Sequence, residues 1–145
     1  NTVTDIVNEA IAEGPDKPEA QAKVVIATVK GDVHDIGKAI VVSLMRANGF
    51  TVYDLGRDVE TDKIIEEAEK VDADIIGTSA LLTTTMPRQK EIEEALKSAG
   101  LRDRFKTVVG GAPVTPRWAA RIGADAYAED AQDGVLKVKE LLVQP

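Results

Sequence analysis

The chain has 145 residues, of which 43% are hydrophobic and 3% aromatic, and its net charge is −7. This length and hydrophobicity predict one globular domain with an aliphatic core, and the excess of acidic residues argues against a nucleic-acid partner, whose phosphates need Lys and Arg. No apolar run approaches the ~20 residues of a membrane span, and the absence of cysteine excludes disulfides, a thiolate nucleophile and a Cys metal site. We expect a protein of the reducing cytoplasm that binds no membrane.

The first predicted element is a helix at 3–11, followed by a linker. One apolar stripe marks the helix, formed by Val3, Ile6, Val7, Ala10 and Ile11, and Gly14 ends it. The polar segment 15–22 contains two prolines and is typical of a linker. Since the chain begins at Asn1 rather than Met, we expect a fragment of a longer protein, in which residues 1–22 form a helix and a linker. The main domain is then 23–145.

Apolar runs and helical stripes alternate over this main domain. The runs predict strands at 24–29, 51–55, 74–79, 106–110 and 125–128. The stripes predict helices at 37–48, 61–71, 88–99, 116–122 and 131–142. This alternation indicates βαβ units around a parallel sheet whose two faces are both covered. We predict an α/β, flavodoxin-like (Rossmann-like), doubly wound five-stranded sheet of order 2-1-3-4-5, with a ligand at the carboxyl ends of the first and third strands.

The loop after the first strand, "KGDVHDIGK" (30–38), contains the only histidine. It resembles a phosphate-binding P-loop, but five residues rather than four separate Gly31 from Gly37, and Ala39 stands where Ser or Thr is required. A dinucleotide fingerprint is absent. A phospho-receiver domain would need an acidic residue at the end of the third strand, where Ser79 and Ala80 stand. All three phosphate interpretations are weak.

Two catalytic interpretations of the same histidine also fit poorly. One His without Cys is a poor zinc site, and a hydrolase built on Asp32 and His34 lacks a G-x-S-x-G nucleophile elbow. What remains is a single His that ligates a metal held mainly by another group, such as a macrocycle. Asp32 precedes His34 by two positions, and a ligating His usually donates its other N–H to a carboxylate.

Three sequence elements resemble those of the cobalamin-binding domains. "GDVHDIGK" is similar to the family's D-x-H-x-x-G motif, "SAL" (79–81) to its S-x-L element, and Gly110-Gly111 to its glycine pair. They follow in the family's order and spacing, from about residue 23 to 142. Since corrinoid carriers commonly place a helical cap domain before this one, the resemblance implies that residues 1–22 are the remnant of such a domain. Within the family, "TSALLTTTMP" and "GGAPVT" most resemble corrinoid methyl carriers of methanol, methylamine or methoxy-aromatic (O-demethylase) systems, and the methionine synthase module.

The resemblance implies a role for each matching residue. His34 is the axial ligand of cobalt, displacing the cofactor's dimethylbenzimidazole in a base-off/His-on state. Asp32 accepts a hydrogen bond from His34 and exchanges a proton as cobalt changes its coordination, and Thr85 stands where methionine synthase has Ser. The implied cofactor contacts are Gly31, Asp32, Val33, His34, Asp35, Ile36, Gly37, Ser79, Leu81, Thr83, Thr85, Gly110, Gly111 and Ala131.

The same residues have simpler explanations. His34 fits an ordinary surface loop, and Asp32 fits a turn. Asp35 fits the N-cap of the first helix. Leu81 fits a hydrophobic core, and the glycine pair fits a turn that ends a strand.

The resemblance to methyl carriers implies that the chain binds cobalamin in its methylcobalamin and cobalt(I) forms. It also implies that the chain does not itself catalyse the activation of a substrate. The implied partners are a substrate-specific methyltransferase, an acceptor methyltransferase using tetrahydrofolate or a thiol, and a reductive activator. Two alternatives are a subunit of an adenosylcobalamin-dependent mutase, which would need a substrate barrel that 145 residues cannot supply, and a cobalamin sensor.

Overall fold

Five parallel strands form one sheet in the order β2-β1-β3-β4-β5. A computed structural model describes residues 22–32 and 36–143. The strands are β1 (Lys23–Thr28), β2 (Thr51–Asp54), β3 (Ile75–Ser79), β4 (Lys106–Gly110) and β5 (Ala126–Tyr127). The predicted strand order and fold class are confirmed.

Helices connect the strands and cover both faces of the sheet. They are α1 (Ile36–Ala47), α2 (Thr61–Val71), α3 (Pro87–Ser98), α4 (Pro116–Ile122) and α5 (Ala131–Val143). A 3₁₀ turn at Arg102–Arg104, which the sequence pattern did not predict, precedes β4. The predicted bounds of the five strands and five helices differ from the observed ones by no more than one residue at either end.

Alternate residues of the central strands enter two separate hydrophobic cores. Val24 and Ile26 pack with Ile75 and Val108 against α1 and α5. Val25, the residue between the first two, packs against α2, α3 and α4 on the opposite face. Both faces of the strands are therefore buried, which explains why they are continuous apolar runs in the sequence.

A buried charged cluster holds the amino end of β4. Arg102 Nε donates to Glu93 Oε1 at 2.6 Å, and Arg102 Nη2 donates to Asp125 Oδ2 at 3.0 Å and to Thr107 Oγ1 at 3.2 Å. The Glu93 side chain is only 2% exposed. Desolvation raises the pKa of the Glu93 carboxyl, against the opposing effect of its partners Thr107 and Arg102. The cluster lies at the edge of the sheet opposite to the predicted ligand site.

The predicted N-terminal helix at 3–11 and all but the last residue of the linker lie outside the described residues, so the boundary at residue 22 stays a prediction. Within the ranges 22–32 and 36–143, no helix has both the length and the apolar content needed to cross a membrane.

Candidate functional site

Asp32 lies fully buried where the loops after β1 and β3 meet. Its Oδ2 accepts a hydrogen bond from the Leu81 N–H at 2.6 Å and another from Thr85 Oγ1 at 2.8 Å. Thr85 Oγ1 is also 3.0 Å from the Leu82 carbonyl, which fixes the turn that carries it. The structure thus brings together Asp32 and Thr85, which are 53 positions apart in the sequence, and orients the carboxylate from one side.

The centre of the D-x-H-x-x-G loop is not part of the structural description. Val33, His34 and Asp35 lie outside the described residues. Ile36 and Gly37 lie in the first turn of α1. The axial-ligand role of His34 and the N-cap role of Asp35 therefore stay predictions, while the start and end of the loop are placed beside the carboxyl end of β1.

The loop after β2 contacts the same segment from the other side. The Gly31 N–H donates to Asp58 Oδ1 at 2.8 Å, and the Asp58 N–H donates to the Asp32 carbonyl at 2.9 Å. Asp58 adopts a left-handed conformation, with φ of 56°. The hydrogen bond from Gly31 lowers the pKa of the Asp58 carboxyl below its ordinary value, and nearby Lys30 adds to this effect. Sequence reasoning missed Asp58.

A cavity of about 550 Å³ extends from this edge along the sheet face that packs against α1 and α5. Five of the predicted residues line it, namely Ser79, Leu81, Gly110, Gly111 and Ala131. Gly77 and Val108, in the middle of β3 and β4, also line it. The cavity therefore runs beneath β3 and β4 as well as β1, rather than only above the gap between β1 and β3.

Four other predicted residues, Gly31, Asp32, Thr83 and Thr85, are not among those that line this cavity. Thr83 is exposed in the turn after β3, because residues 82–85 turn back on themselves through the hydrogen bond from the Thr85 N–H to the Leu82 carbonyl. Gly31 and Asp32 lie in the loop after β1, and Thr85 contacts Asp32 there. The role of Thr83 in lining the slot stays a prediction.

The glycine pair at the end of β4 makes a close backbone approach possible. A Cβ atom on Gly111 would lie 1.9 Å from the Ala80 carbonyl oxygen, and the Gly111 φ is +128°. A Cβ atom on Gly110 would lie 3.3 Å from the Ala128 carbonyl oxygen. Gly111 is therefore required by the loop after β3, whichever ligand binds beside it.

Gln89, in the first turn of α3, is a further residue that sequence reasoning missed. Its side chain is buried, and its Nε2 donates to the carbonyls of Thr78 and Gly110, each at 3.2 Å. The Trp118 indole N–H donates to Gln89 Oε1 at 3.0 Å. Gln89 thereby joins the carboxyl ends of β3 and β4. A signal was available, because Gln89, Ile92 and Leu96 form one helical stripe in which a polar residue needs a partner.

These features define a class: an open parallel α/β domain that holds a ligand at its carboxyl edge and in a long cavity beneath it. Residues 22–136 match the family model described as the B12 binding domain. The chain belongs to this family.

Individual relatives agree with this assignment. The chain is 49% identical over 142 residues to dimethylamine corrinoid protein 3 of Methanosarcina mazei, covering 98% of this chain and 82% of the relative. The solved structure of the Methanosarcina barkeri monomethylamine corrinoid protein is 38% identical, with a TM-score of 0.79, over 95% of this chain and 66% of that one. The methanol:cobalamin methyltransferase complex of the same organism is 31% identical, with a TM-score of 0.82, over 99% of this chain and 54% of that one. The chain therefore spans only part of these proteins.

The residues present fit the family's cofactor. Four of the residues that line the cavity are glycines, at 77, 110, 111 and 134, and they add no side chain to its walls. Aliphatic side chains such as Val108 and Val138 give the cavity apolar walls. Cobalamin or a related corrinoid is the cofactor of this domain, and the resemblance seen in the sequence is confirmed at the level of the family.

Proposed function

We propose that this chain carries a methyl group on the cobalt of cobalamin, between a substrate-specific methyltransferase and an acceptor methyltransferase. The observation that supports it best is the fully buried Asp32 carboxylate, which Leu81 and Thr85 hold two positions before the only histidine. When bound, cobalamin supplies a cobalt centre that accepts a methyl group and releases it. The chain supplies the axial ligand, its orientation and the cofactor-binding cavity.

His34 is the proposed axial ligand, in the base-off/His-on state. A ligating histidine donates its second ring N–H to an acceptor that fixes its tautomer and orientation, and a carboxylate is the usual partner. Asp32 is the proposed acceptor, and Thr85 and Leu81 prevent its carboxylate from turning away. The cavity between the sheet, α1 and α5 accommodates the displaced nucleotide tail, with Ser79, Gly110 and Gly111 at its entrance.

Methylamines are the proposed donor class, because the relative with 49% identity is named for dimethylamine and a solved relative for monomethylamine. Amines are poor leaving groups and need acid or Lewis-acid assistance. The sequence has one histidine, already assigned to cobalt, and no cysteine to build a zinc site. A partner methyltransferase therefore activates the donor. A second methyltransferase takes the methyl group and passes it to a thiol or tetrahydrofolate. A reductive activator restores the cobalt(I) form. All of these proteins act in the cytoplasm.

The axial ligand is tested by spectroscopy of the loaded protein. The wild-type chain and His34→Ala are each loaded with methylcobalamin and compared by absorption. Both are also loaded with cobalt(II) cobalamin and compared by electron paramagnetic resonance, with nitrogen-15 labelling of histidine. We expect an imidazole coupled to cobalt in the wild type, and binding without this coupling in the variant. Identical spectra for the two proteins would exclude the axial role.

The carrier role is tested by adding methylamines to the reduced, loaded chain, alone and with a methylamine methyltransferase. We expect methylation of cobalt only when the methyltransferase is present. Rapid methylation by the chain alone would show that it activates the donor itself and would refute the carrier role. No methylation under either condition would refute methylamines as donors.

A further inference from the structure

The loop after β2 runs beside the end of β1 and extends the pairing of these strands. At the last residue of β1, the Thr28 N–H donates to the Gly56 carbonyl at 2.9 Å, and the Val59 N–H donates to the Thr28 carbonyl at 3.0 Å. Val29 and Val59 form an isolated parallel bridge. The two loops are thus joined through their main chains up to the point where the cofactor loop begins.

Asp58 completes this contact with two hydrogen bonds in opposite directions. Its carboxylate accepts from the Gly31 N–H, and its own N–H donates to the Asp32 carbonyl. Together these bonds hold the N–H of Gly31 and the carbonyl of Asp32, immediately before the segment that contains His34. The left-handed conformation of Asp58 is one that an L-residue seldom adopts, although Asp and Asn tolerate it better than most.

Packing does not account for the side chain at this position. The Asp58 side chain is 45% exposed, and apart from Gly31 its contact is an ion pair with Lys30 at 3.7 Å, whose side chain is 43% exposed. A glycine would adopt the left-handed backbone more readily. What aspartate adds is the acceptor oxygen for Gly31.

We propose that Asp58 is a positioning residue for the axial-ligand loop, and that its hydrogen bond to the Gly31 N–H sets the direction in which the chain leaves β1 toward His34. The proposal rests on the proposed function, since it takes His34 to be the cobalt ligand. Asp32 is then held twice, through its carbonyl by Asp58 and through its carboxylate by Thr85 and Leu81. Loss of the Asp58 carboxylate leaves both contacts of Asp32 in place but removes the acceptor of the Gly31 N–H, three positions before His34.

Three variants separate the acceptor from the backbone conformation. Asp58→Gly accepts the left-handed φ and removes the acceptor, whereas Asp58→Asn keeps both. Asp72→Gly is the matched control, because Asp72 is the other non-glycine residue with positive φ in the described ranges, at 59°, and it ends α2 far from the loop. Any general effect of replacing a left-handed Asp by Gly appears in the control as well.

Two measurements decide the proposal. In the cofactor-free protein, hydrogen exchange of the Gly31 amide is expected to accelerate on the order of tenfold in Asp58→Gly, because its acceptor is lost, and to change little in Asp58→Asn and Asp72→Gly. In the loaded protein, Asp58→Gly is expected to show a several-fold smaller ratio of imidazole-bound to imidazole-free cobalt, and Asp58→Asn is expected to restore it.

Unchanged Gly31 exchange in Asp58→Gly overturns the proposal, and so does faster exchange with an unchanged imidazole-bound fraction, since the contact would then position nothing. A decrease of equal size in Asp72→Gly also overturns it. If the wild type binds cobalamin without imidazole on cobalt, the proposed function fails together with the positioning role, and the exchange result then reports only whether the contact exists. If the wild type shows the imidazole and Asp58→Gly retains it fully, the positioning role alone fails.

Discussion

Replacing Gly111 by alanine tests the close approach between the loops after β3 and β4. The added Cβ atom would lie 1.9 Å from the Ala80 carbonyl oxygen and 2.7 Å from its carbonyl carbon, so the overlap is with backbone that cannot move independently. The φ of +128° is also one that L-residues rarely adopt. Relief requires the two loops to separate, which breaks the hydrogen bond from the Ala80 N–H to the Gly110 carbonyl.

The free energy of unfolding should fall accordingly. Backbone strain of this kind costs about 1–3 kcal/mol, and the lost hydrogen bond contributes roughly 0.5–1.5 kcal/mol. We therefore expect a loss of about 2–4 kcal/mol in urea unfolding for Gly111→Ala. Because Gly110 and Gly111 both line the cavity, cobalamin binding should weaken strongly at temperatures where the variant is still folded.

Gly100→Ala separates the conformational penalty from the overlap. Gly100 also has positive φ, at +74°, but an added Cβ would meet no atom within 4 Å. In this control the free energy of unfolding should fall by only about 1 kcal/mol, and cobalamin should bind as it does to the wild type. If Gly111→Ala is no less stable than Gly100→Ala, or binds cobalamin equally well, the described contact between the loops is incorrect.

Three further substitutions test individual side chains by urea unfolding. Thr85→Val should lower the free energy of unfolding by about 1.5–3 kcal/mol, because the buried Asp32 carboxylate loses a donor, and Thr85→Ser should recover most of it; equal effects would contradict the hydrogen bond. Gln89→Leu should lower the free energy of unfolding by about 1–3 kcal/mol and weaken cobalamin binding, since the ends of β3 and β4 lose their shared donor. A variant as stable as the wild type would show that the donor is dispensable. Arg102→Met should leave Glu93 buried without its cation and lower the free energy of unfolding by about 3–5 kcal/mol near pH 8. The loss should be smaller near pH 5, because a raised pKa lets Glu93 take up a proton there, and a loss independent of pH would contradict this account.

The strands, helices and their order could be predicted because the signals are local. Short apolar runs mark the strands, most clearly in β1, and glycines such as Gly49 and Gly100 end the helices before β2 and β4. With short connections and right-handed crossovers, few arrangements of five such units remain. The 3₁₀ turn at Arg102–Arg104 escaped prediction because three polar residues carry no periodicity.

The side-chain contacts of the site could not be derived from local pattern. Thr85 meets Asp32 across 53 positions, and Asp58 meets Gly31 across 27. The first pairing was expected only because the sequence resembles a family with a hydroxyl at that position. No comparable motif marks Asp58, and its left-handed φ cannot be read from an aspartate followed by valine.

The strand order itself accounts for where these contacts form. In the order β2-β1-β3, the first strand lies between the second and the third, and all three carboxyl ends meet at one edge. The loop after β1 is therefore within reach of the loops after both β2 and β3. Asp58 comes from one neighbour and holds the main chain of Asp32; Leu81 and Thr85 come from the other and hold its carboxylate. A loop after either edge strand would have only one neighbouring strand, so an inner strand such as β1 is where this sheet can fix a ligand-bearing loop from two sides.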